Sequence, residues 1–368
     1  MAISCGIVGL PNVGKSTLFN ALSAAGAAVA NYPFCTIEPN VGVVPVPDAR
    51  LDALVALYKP KSVVAATVNF VDIAGLVRGA SKGEGLGNQF LANIRETDAI
   101  AHVVRCFEDD NVIHVEGRVD PVADVGTIDT ELCLKDLESV DKRIDRAKKA
   151  LKSAAAPKEE KQVLELCERL KAGLDTGKPA RAQGFSAEEQ LLLRDLGLLT
   201  LKKVFYVANV AEKQLASSAT DPLVSALRAH ADAEGAPVVV ICAAAEAEIA
   251  GLDPADRPAF LESLGLKEPG LHAVAHTAYK ILDLITFLTA GPDECRAWTV
   301  KRGARAPQAA GVIHTDFERG FIKAEVFGWQ DLLRLGSEAA VRDKGLLRVE
   351  GKEYVVLDGD CMHFRFNV

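Results

Sequence analysis

Apolar, largely β-branched runs recur through the first three-quarters of the chain: Ile3 to Leu10, Thr67 to Val71, Ala99 to Val104, Val204 to Val210 and Val238 to Ile241. Runs this continuously apolar predict strands buried on both faces of a parallel sheet, connected by helices. Such a sheet binds its ligand at the carboxyl ends of the strands. Between about 127 and 200 the period changes. Leu137, Val140, Ile144, Ala147 and Leu151 repeat at 3-4-3-4 spacing, which predicts a coiled-coil seam. Ser153 to Pro157 interrupts the seam, with the proline as the stop. A second stripe follows through Val163, Cys167, Leu170 and Leu174, so the segment reads as an antiparallel helical hairpin. Ser186-Ala187-Glu188-Glu189 has the spacing of a capping box and predicts another helix start. From about 280 the pattern becomes short strands and turns, at Arg296 to Val300, Phe321 to Val326 and Tyr354 to Leu357. The expected organisation is one α/β domain from residues 1–126 and 203–277, a helical insertion at 127–202, and a small β-rich domain at 281–364.

Composition narrows the class. The 368 residues are 49% apolar and 25% charged, ordinary values for a globular protein. The N-terminus runs straight into a strand pattern, and no run approaches the ~20 apolar residues of a membrane span, so no membrane association is expected. Eight cysteines stand singly without zinc-ligand spacing and read as reduced thiols of a cytoplasmic protein. A net charge of −8 argues against binding nucleic acid with the whole surface. The hairpin tip differs locally, with eight Lys/Arg against three Asp/Glu between Lys142 and Lys161. That tip is either a solvated face or a contact for RNA or an acidic partner.

The strongest chemical signal is Gly9-Leu10-Pro11-Asn12-Val13-Gly14-Lys15-Ser16-Thr17, between a predicted strand and a helical stretch, Leu18 to Ala24. In that context the glycines turn backbone N–H groups inward around phosphates, at the positive end of the helix. Lys15 supplies a charge for the β- and γ-phosphates, and the Ser16 hydroxyl can ligate Mg²⁺. Asp72-Ile73-Ala74-Gly75-Leu76 closes a second strand. An aspartate there can hold Mg²⁺, and Gly75 can offer its N–H to a γ-phosphate. Five glycines between Gly75 and Arg95 suggest a segment that changes shape with the nucleotide.

The P-loop together with Asp72 to Gly87 resembles the Obg branch of the translation-factor-related P-loop GTPases. Asn31 to Asn40 (NYPFCTIEPN), Asn209-Val210-Ala211-Glu212 and the ending Cys361 to Val368 (CMHFRFNV) narrow the resemblance to the YchF-type Obg-like ATPases. It runs through essentially the whole chain. It implies a P-loop NTPase G domain with an inserted α-helical coiled-coil hairpin and a C-terminal domain similar to the TGS β-grasp module. It also implies ATP as ligand, Mg²⁺ as cofactor, Thr36 in the Mg²⁺ shell, and association with the ribosome or its RNA. A monomer is expected.

Base preference can be argued from the residues as well. Guanine readers use N-K-x-D, whose carboxylate accepts from N1–H and the exocyclic amine of guanine. Here valine replaces the lysine and Glu212 replaces the aspartate, and an extra methylene degrades a bidentate fit. Asn209 and the backbone around Val210 are expected at the base, while Glu212 either contacts it or faces solvent. The next base-side element reads Cys242-Ala243-Ala244, with cysteine where relatives carry serine.

The machinery for hydrolysis is less explicit. Ras-like enzymes orient the attacking water with a glutamine, and Leu76 stands in its place. His114 matches a position the resemblance suggests as catalytic; the alternative is an exposed loop histidine. Asn12 resembles the asparagine of cation-assisted NTPases, where K⁺ offsets transition-state charge, or else it caps the turn. Near the C-terminus, Lys301 to Arg305 and His314 to Lys323 mix basic and aromatic residues that could contact RNA, although Phe317 and Phe321 also suit a small core. Two further readings stay open: a GTPase with the same fold, and a binding switch with negligible turnover.

Overall fold

The structure is a computed structural model describing residues 3–27, 40–73, 86–115, 117–152 and 159–367. The chain divides into two compact units, the first comprising 1–27, 37–42 and 69–274, and the second 28–36, 43–68 and 275–368.

The elements begin with β1 (Ser4–Val8), α1 (Lys15–Ala27), β2 (Val41–Pro45), α2 (Ala49–Tyr58), β3 (Ser62–Val64) and β4 (Thr67–Asp72). They continue through α3 (Leu86–Glu96), β5 (Ala99–Arg105), α4 (Pro121–Ala150), α5 (Glu160–Asp175) and α6 (Ala187–Leu193). Next come β6 (Lys203–Asn209), α7 (Pro222–Glu234), β7 (Val238–Ile241), α8 (Ala243–Gly251), α9 (Arg257–Ser263) and α10 (Gly270–Ile281).

One six-stranded sheet has the order β2-β4-β1-β5-β6-β7, and its pairs from β4 through β7 are parallel. All seven residues of β5 are buried, as the apolar runs required of strands covered on both faces. β1 lies between β4 and β5, each reached by a separate connection, so the turn after β1 opens at a switch point of the sheet. Among the described residues no helix is long and apolar enough to cross a membrane.

The insertion builds its own core. Val140, Ile144 and Ala147 of α4 face Val163, Cys167, Leu170 and Leu174 of α5, all buried. Each such burial of a large aliphatic side chain is worth roughly 1.5–3 kcal/mol, enough for the hairpin to hold its shape. Leu151, the last seam position, is instead 37% exposed, since the helix ends there. Helix α4 starts earlier than its seam suggests. Asp120 caps it by accepting from the Ala123 N–H, and Pro121 occupies the first turn, so 30 residues run unbroken past position 126. The capping box at Ser186 and Glu189 forms and starts α6. Ser153 to Pro157 lies outside the described residues. The insertion is tied down by Asp136, which accepts from Leu199 N–H, Thr200 N–H and Thr200 Oγ1. Arg181 then bridges Asp129 at 2.6 Å and Glu234 at 3.0 Å.

The second unit adds β8 (Leu284–Ala290), β9 (Glu294–Lys301), α11 (Ala306–Ile313), α12 (Thr315–Arg319), β10 (Phe321–Gly328), β11 (Arg348–Glu350) and β12 (Asp360–Phe366). Its mixed sheet runs β11-β10-β12-β8-β9-β3. Residues 43–68 group here because β3 pairs in parallel with β9, Ser62 against Glu294, a long-range pairing that no local pattern encodes. Tyr354 to Leu357 does not form the strand its apolar pattern predicts. The Asp360 carboxylate accepts from Tyr354 Oη and Leu357 N–H and bends the segment into a turn, leaving one bridge at Val355. Phe317 stacks on Phe366 with ring centroids 3.7 Å apart, and Phe321 is buried. Both rings are thus occupied within this unit's own packing.

Candidate functional site

The turn after β1 has the form its glycines allow. Gly14 adopts φ +98°, and a Cβ there would sit 2.3 Å from Asn209 Nδ2; a Cβ on Gly9, at φ +155°, would sit 2.4 Å from the Val103 carbonyl. Only glycine tolerates both the conformation and the approach. The first helical bond of α1 runs from Leu18 N–H to Gly14 O at 2.9 Å. The N–H groups of Lys15, Ser16 and Thr17 therefore precede the helical ladder, where an anion is favoured. The Ser16 and Thr17 side chains are exposed, while Val13 is buried.

Lys15 is buried, and its Nζ donates to the Leu10 carbonyl at 2.7 Å. Burial pulls its pKa down to about 8, against the opposing pull of the Asp72 carboxylate. Burial likewise raises Asp72, and Lys15 works against that rise. The two charges therefore belong to one local field. Asp72 pairs with Ile7 in the β1–β4 register, which puts it beside the phosphate loop at the carboxyl end of its strand. Thr36, Gly75 and Leu76 lie outside the described residues.

A cavity of about 660 Å³ opens next to this loop. Asn12, Gly14 and Thr17 line one side, Phe107, Glu108, Asp109 and Val112 another, and Asn209 to Lys213 with Cys242 to Ala244 the rest. The volume is in the usual range for a small-ligand site. Three of the predicted segments thus converge on one space, with the 107–112 segment as a further wall. Asn209 is buried and joins two of them: its Nδ2 donates to Val13 O and its Oδ1 accepts from Ala243 N–H, each at 2.9 Å. The Val210 N–H is committed to Ile241 O, so this amide is not a contact for a base. Glu212 is exposed at the cavity rim, in a turn fixed by Gln214, which accepts from Ala211 N–H and donates to Cys106 O and Asp221. Cys242 precedes α8 and lines the cavity; burial raises its thiol pKa.

Two predicted residues behave differently from their sequence reading. Asn12 has φ +61° and donates from Nδ2 to the Ile113 carbonyl at 3.2 Å, tying the phosphate loop to the 106–114 segment. His114 is not an exposed loop residue: it is only 8% exposed and pairs through Nε2 with Asp124 Oδ2 of α4 at 3.0 Å. It is absent from the cavity lining, which Val112 supplies from the same segment.

Arg105 is a residue that the sequence reading did not single out. It is buried, and its guanidinium donates to the carbonyls of Phe107, Asp109 and Val112 while lying 4.7 Å from the Phe107 ring centroid. It shapes the wall that carries Phe107 and Val112. The available signal was a charged residue ending a strand that is apolar apart from His102.

The chain matches two family models, one described as 50S ribosome-binding GTPase over residues 4–153 and one for the C-terminal part of YchF GTPases, described as a protein of unknown function, over 284–367. The ribosome-binding ATPase YchF of Haemophilus influenzae is 54% identical over 368 residues, covering all of both chains. The protein of the same name from Bacillus subtilis is 53% identical with the same coverage. Among solved structures, the Schizosaccharomyces pombe YchF GTPase superposes with a TM-score of 0.89 at 39% identity, covering 99% of this chain and 97% of that one. The names of these relatives differ on the nucleotide, ATP in one case and GTP in the other. The solved structure shares this chain's fold over 99% of its length, a P-loop G domain with a helical insertion and a further C-terminal domain. By identity and by full-length coverage, the chain belongs to the YchF family.

Proposed function

We propose that this chain binds and hydrolyses ATP in a Mg²⁺-dependent reaction and works as a ribosome-associated nucleotide switch in the cytoplasm. The observation that carries the reading is the Asn209 clamp, which sets the N-V-A-E segment and the phosphate loop around one cavity. In that cavity Glu212 stands where a guanine reader needs aspartate, and valine where it needs lysine. Curated relatives covering this chain's full length carry the name ribosome-binding ATPase, which supports the same choice of base and partner.

Within this reading, Asn12, Val13, Gly14, Lys15, Ser16 and Thr17 surround the phosphates, with Asn209, Val210 and Glu212 toward the base. Lys15 neutralises phosphate charge: an arriving triphosphate favours the ammonium that burial disfavours. The donors suit Mg²⁺, since the exposed Ser16 hydroxyl and the half-buried Asp72 carboxylate are hard oxygens flanking the phosphate loop. Ser16, Thr36 and Asp72 would hold the ion, which when bound offsets charge on the β- and γ-phosphates. Gly75 would contact the γ-phosphate. Asn12 is the proposed K⁺ site. For His114, the Asp124 pairing supports a structural role, and a catalytic one needs this pair to open.

The test is a titration with fluorescent ATP and GTP analogues in Mg²⁺, in parallel K⁺ and Na⁺ buffers, followed by co-sedimentation with ribosomes. ATP should bind at least about tenfold tighter, a difference of about 1.4 kcal/mol. Tighter GTP binding would overturn the base assignment. Equal ribosome binding in the ATP and ADP states would overturn the switch.

A further inference from the structure

A second groove of about 400 Å³ on the first unit shares no lining residue with the nucleotide cavity. It lies between the carboxyl end of α3, helix α6 and the segment that follows α6. Its floor is aliphatic, with Leu191, Leu198 and Leu201, and its charged residues are Arg95, Arg194 and Lys202. Among the described residues no carboxylate and no aromatic ring lines it.

The chemistry of these residues is unbalanced in a specific way. Leu191 is 66% exposed, although the same short helix buries Leu193 completely. Covering an aliphatic side chain of this size is worth about 2 kcal/mol, so its exposure favours a partner surface. Lys202 is built into the wall: its Nζ donates to the carbonyls of Arg95 and Thr97, closing the end of α3. Arg95 and Arg194 are exposed, and among the described residues neither forms an ion pair. The Asp136 carboxylate, hydrogen-bonded to Leu199 and Thr200, attracts Arg95 but does not line the groove. The groove thus offers cations at the rim and a leucine floor with nothing of opposite charge lining it.

We propose that this groove docks an acidic peptide segment of a partner protein, with an aliphatic side chain on Leu191, Leu198 and Leu201 and carboxylates toward Arg95 and Arg194. Charge complementarity requires an anionic occupant. The floor distinguishes a peptide from RNA, because single-stranded RNA is held by aromatic platforms for its bases and the groove has none. A leucine floor is matched by leucine-like side chains. The limited volume suits a short segment, a weak and exchangeable contact. Docking in this groove does not depend on nucleotide hydrolysis.

The experiment uses the full chain and a short fluorescein-labelled peptide of repeating Glu-Glu-Leu, read by fluorescence anisotropy. Oligoglutamate of equal charge and oligouridylate serve as competing probes. Saturable binding of the Glu-Glu-Leu peptide, tighter than either probe, is expected. Leu191→Glu should weaken it at least about tenfold, as should the pair Arg95→Glu and Arg194→Glu. The charge-reversed pair should gain binding to a Lys-Lys-Leu peptide, a rescue that misfolding cannot produce. Thermal unfolding and ATP titration of each variant report that the fold and the nucleotide cavity survive. Absence of saturable binding, equal binding by the variants, or equal binding of oligoglutamate would overturn the proposal. Tighter oligouridylate would identify a nucleic-acid face instead. Self-association of the chain that disappears in Leu191→Glu would identify a second copy as the occupant, which also overturns it.

Discussion

Asn209 and Val13 are hydrogen-bonded through a single buried amide, with Nδ2 donating to the Val13 carbonyl at 2.9 Å. The same side chain accepts from Ala243 N–H, so β6, the phosphate loop and the start of α8 share one anchor. Asn209→Ala leaves a buried carbonyl and a buried N–H without their partners, each at about 1–3 kcal/mol. ATP affinity should fall at least about tenfold and the thermal midpoint should drop. A titration of the variant within twofold of the parent would show that the anchor is not needed to shape the cavity.

Gly14 touches the same amide from the other side. Gly14→Ala introduces a methyl group 2.3 Å from Asn209 Nδ2 and a side chain at φ +98°. The expected outcome is loss of measurable ATP binding with a smaller loss of stability, because the loop must move away from Asn209 while the sheet remains. Calorimetric titration beside a thermal melt separates the two effects. Undiminished binding would mean that the loop has room that this packing denies it.

Much of this was legible in the residues because the signals are local. A strand, a glycine turn and a helix lie within Ser4 to Ala27, and the seam from Val140 to Ala147 repeats within a few turns. Long-range information was harder to read. Nothing near Ser62 announces Glu294 as its pairing partner, and nothing around Tyr354 shows that Asp360 will take its hydrogen bonds. The Asn209 motif was visible, but its second partner, the Ala243 N–H, depends on β6 and β7 lying side by side. His114 carried two readings, catalytic or exposed, and neither foresaw its pairing with Asp124, which lies on a separate helix. Arg105 was missed since its donors go to backbone carbonyls, which have no sequence signature.

Arg181 offers a test of how the insertion is anchored. It bridges two carboxylates, Asp129 and Glu234, and all three side chains are nearly buried. Arg181→Ala leaves two buried acids uncompensated, which costs about 3–5 kcal/mol when one partner of a buried pair is removed. Urea unfolding should show that loss. Combining Arg181→Met with Asp129→Leu and Glu234→Met should recover a large part of it, since the apolar set removes the stranded charges. If the single variant loses under about 1 kcal/mol, the network is not an anchor.

His102 sets a pH dependence. Burial, helped by the positive charges of Arg181, His230 and Lys15, lowers its pKa from 6.5 to about 3. Between those values the unfolded chain binds a proton that the folded chain refuses, so stability falls as pH drops through the window. At pH 5 the contribution is roughly 2 kcal/mol, from about 1.4 kcal/mol per pH unit. Other carboxylates titrate in the same range, so the informative quantity is the difference between parent and variant. His102→Gln should lose less stability than the parent between pH 7 and pH 5, as read by urea midpoints. Parallel pH profiles would show that His102 is protonated inside the fold.

The base assignment can be tested by reversing it. Buried Val210 lines the cavity that Asn209 holds open and exposed Glu212 stands at its rim; they are the two positions at which the segment departs from a guanine reader. The double variant Val210→Lys and Glu212→Asp restores N-K-x-D on the same backbone. Shortening Glu212 by one methylene brings a carboxylate back to the length suited to the two guanine donors, while adenine gains no contact. A bidentate charged contact of this kind is worth roughly 1.5–3 kcal/mol per hydrogen bond. The ratio of GTP to ATP affinity should therefore rise by at least about tenfold, with Lys15 and the phosphate loop unchanged. Val210 is buried, so Val210→Lys alone tests whether the loss comes from overpacking; Glu212→Asp alone should carry most of the shift. A ratio that stays fixed in the Glu212→Asp protein would show that this carboxylate faces solvent and that the preference is set elsewhere, with the Phe107 and Val112 wall held by Arg105 as the next place to look.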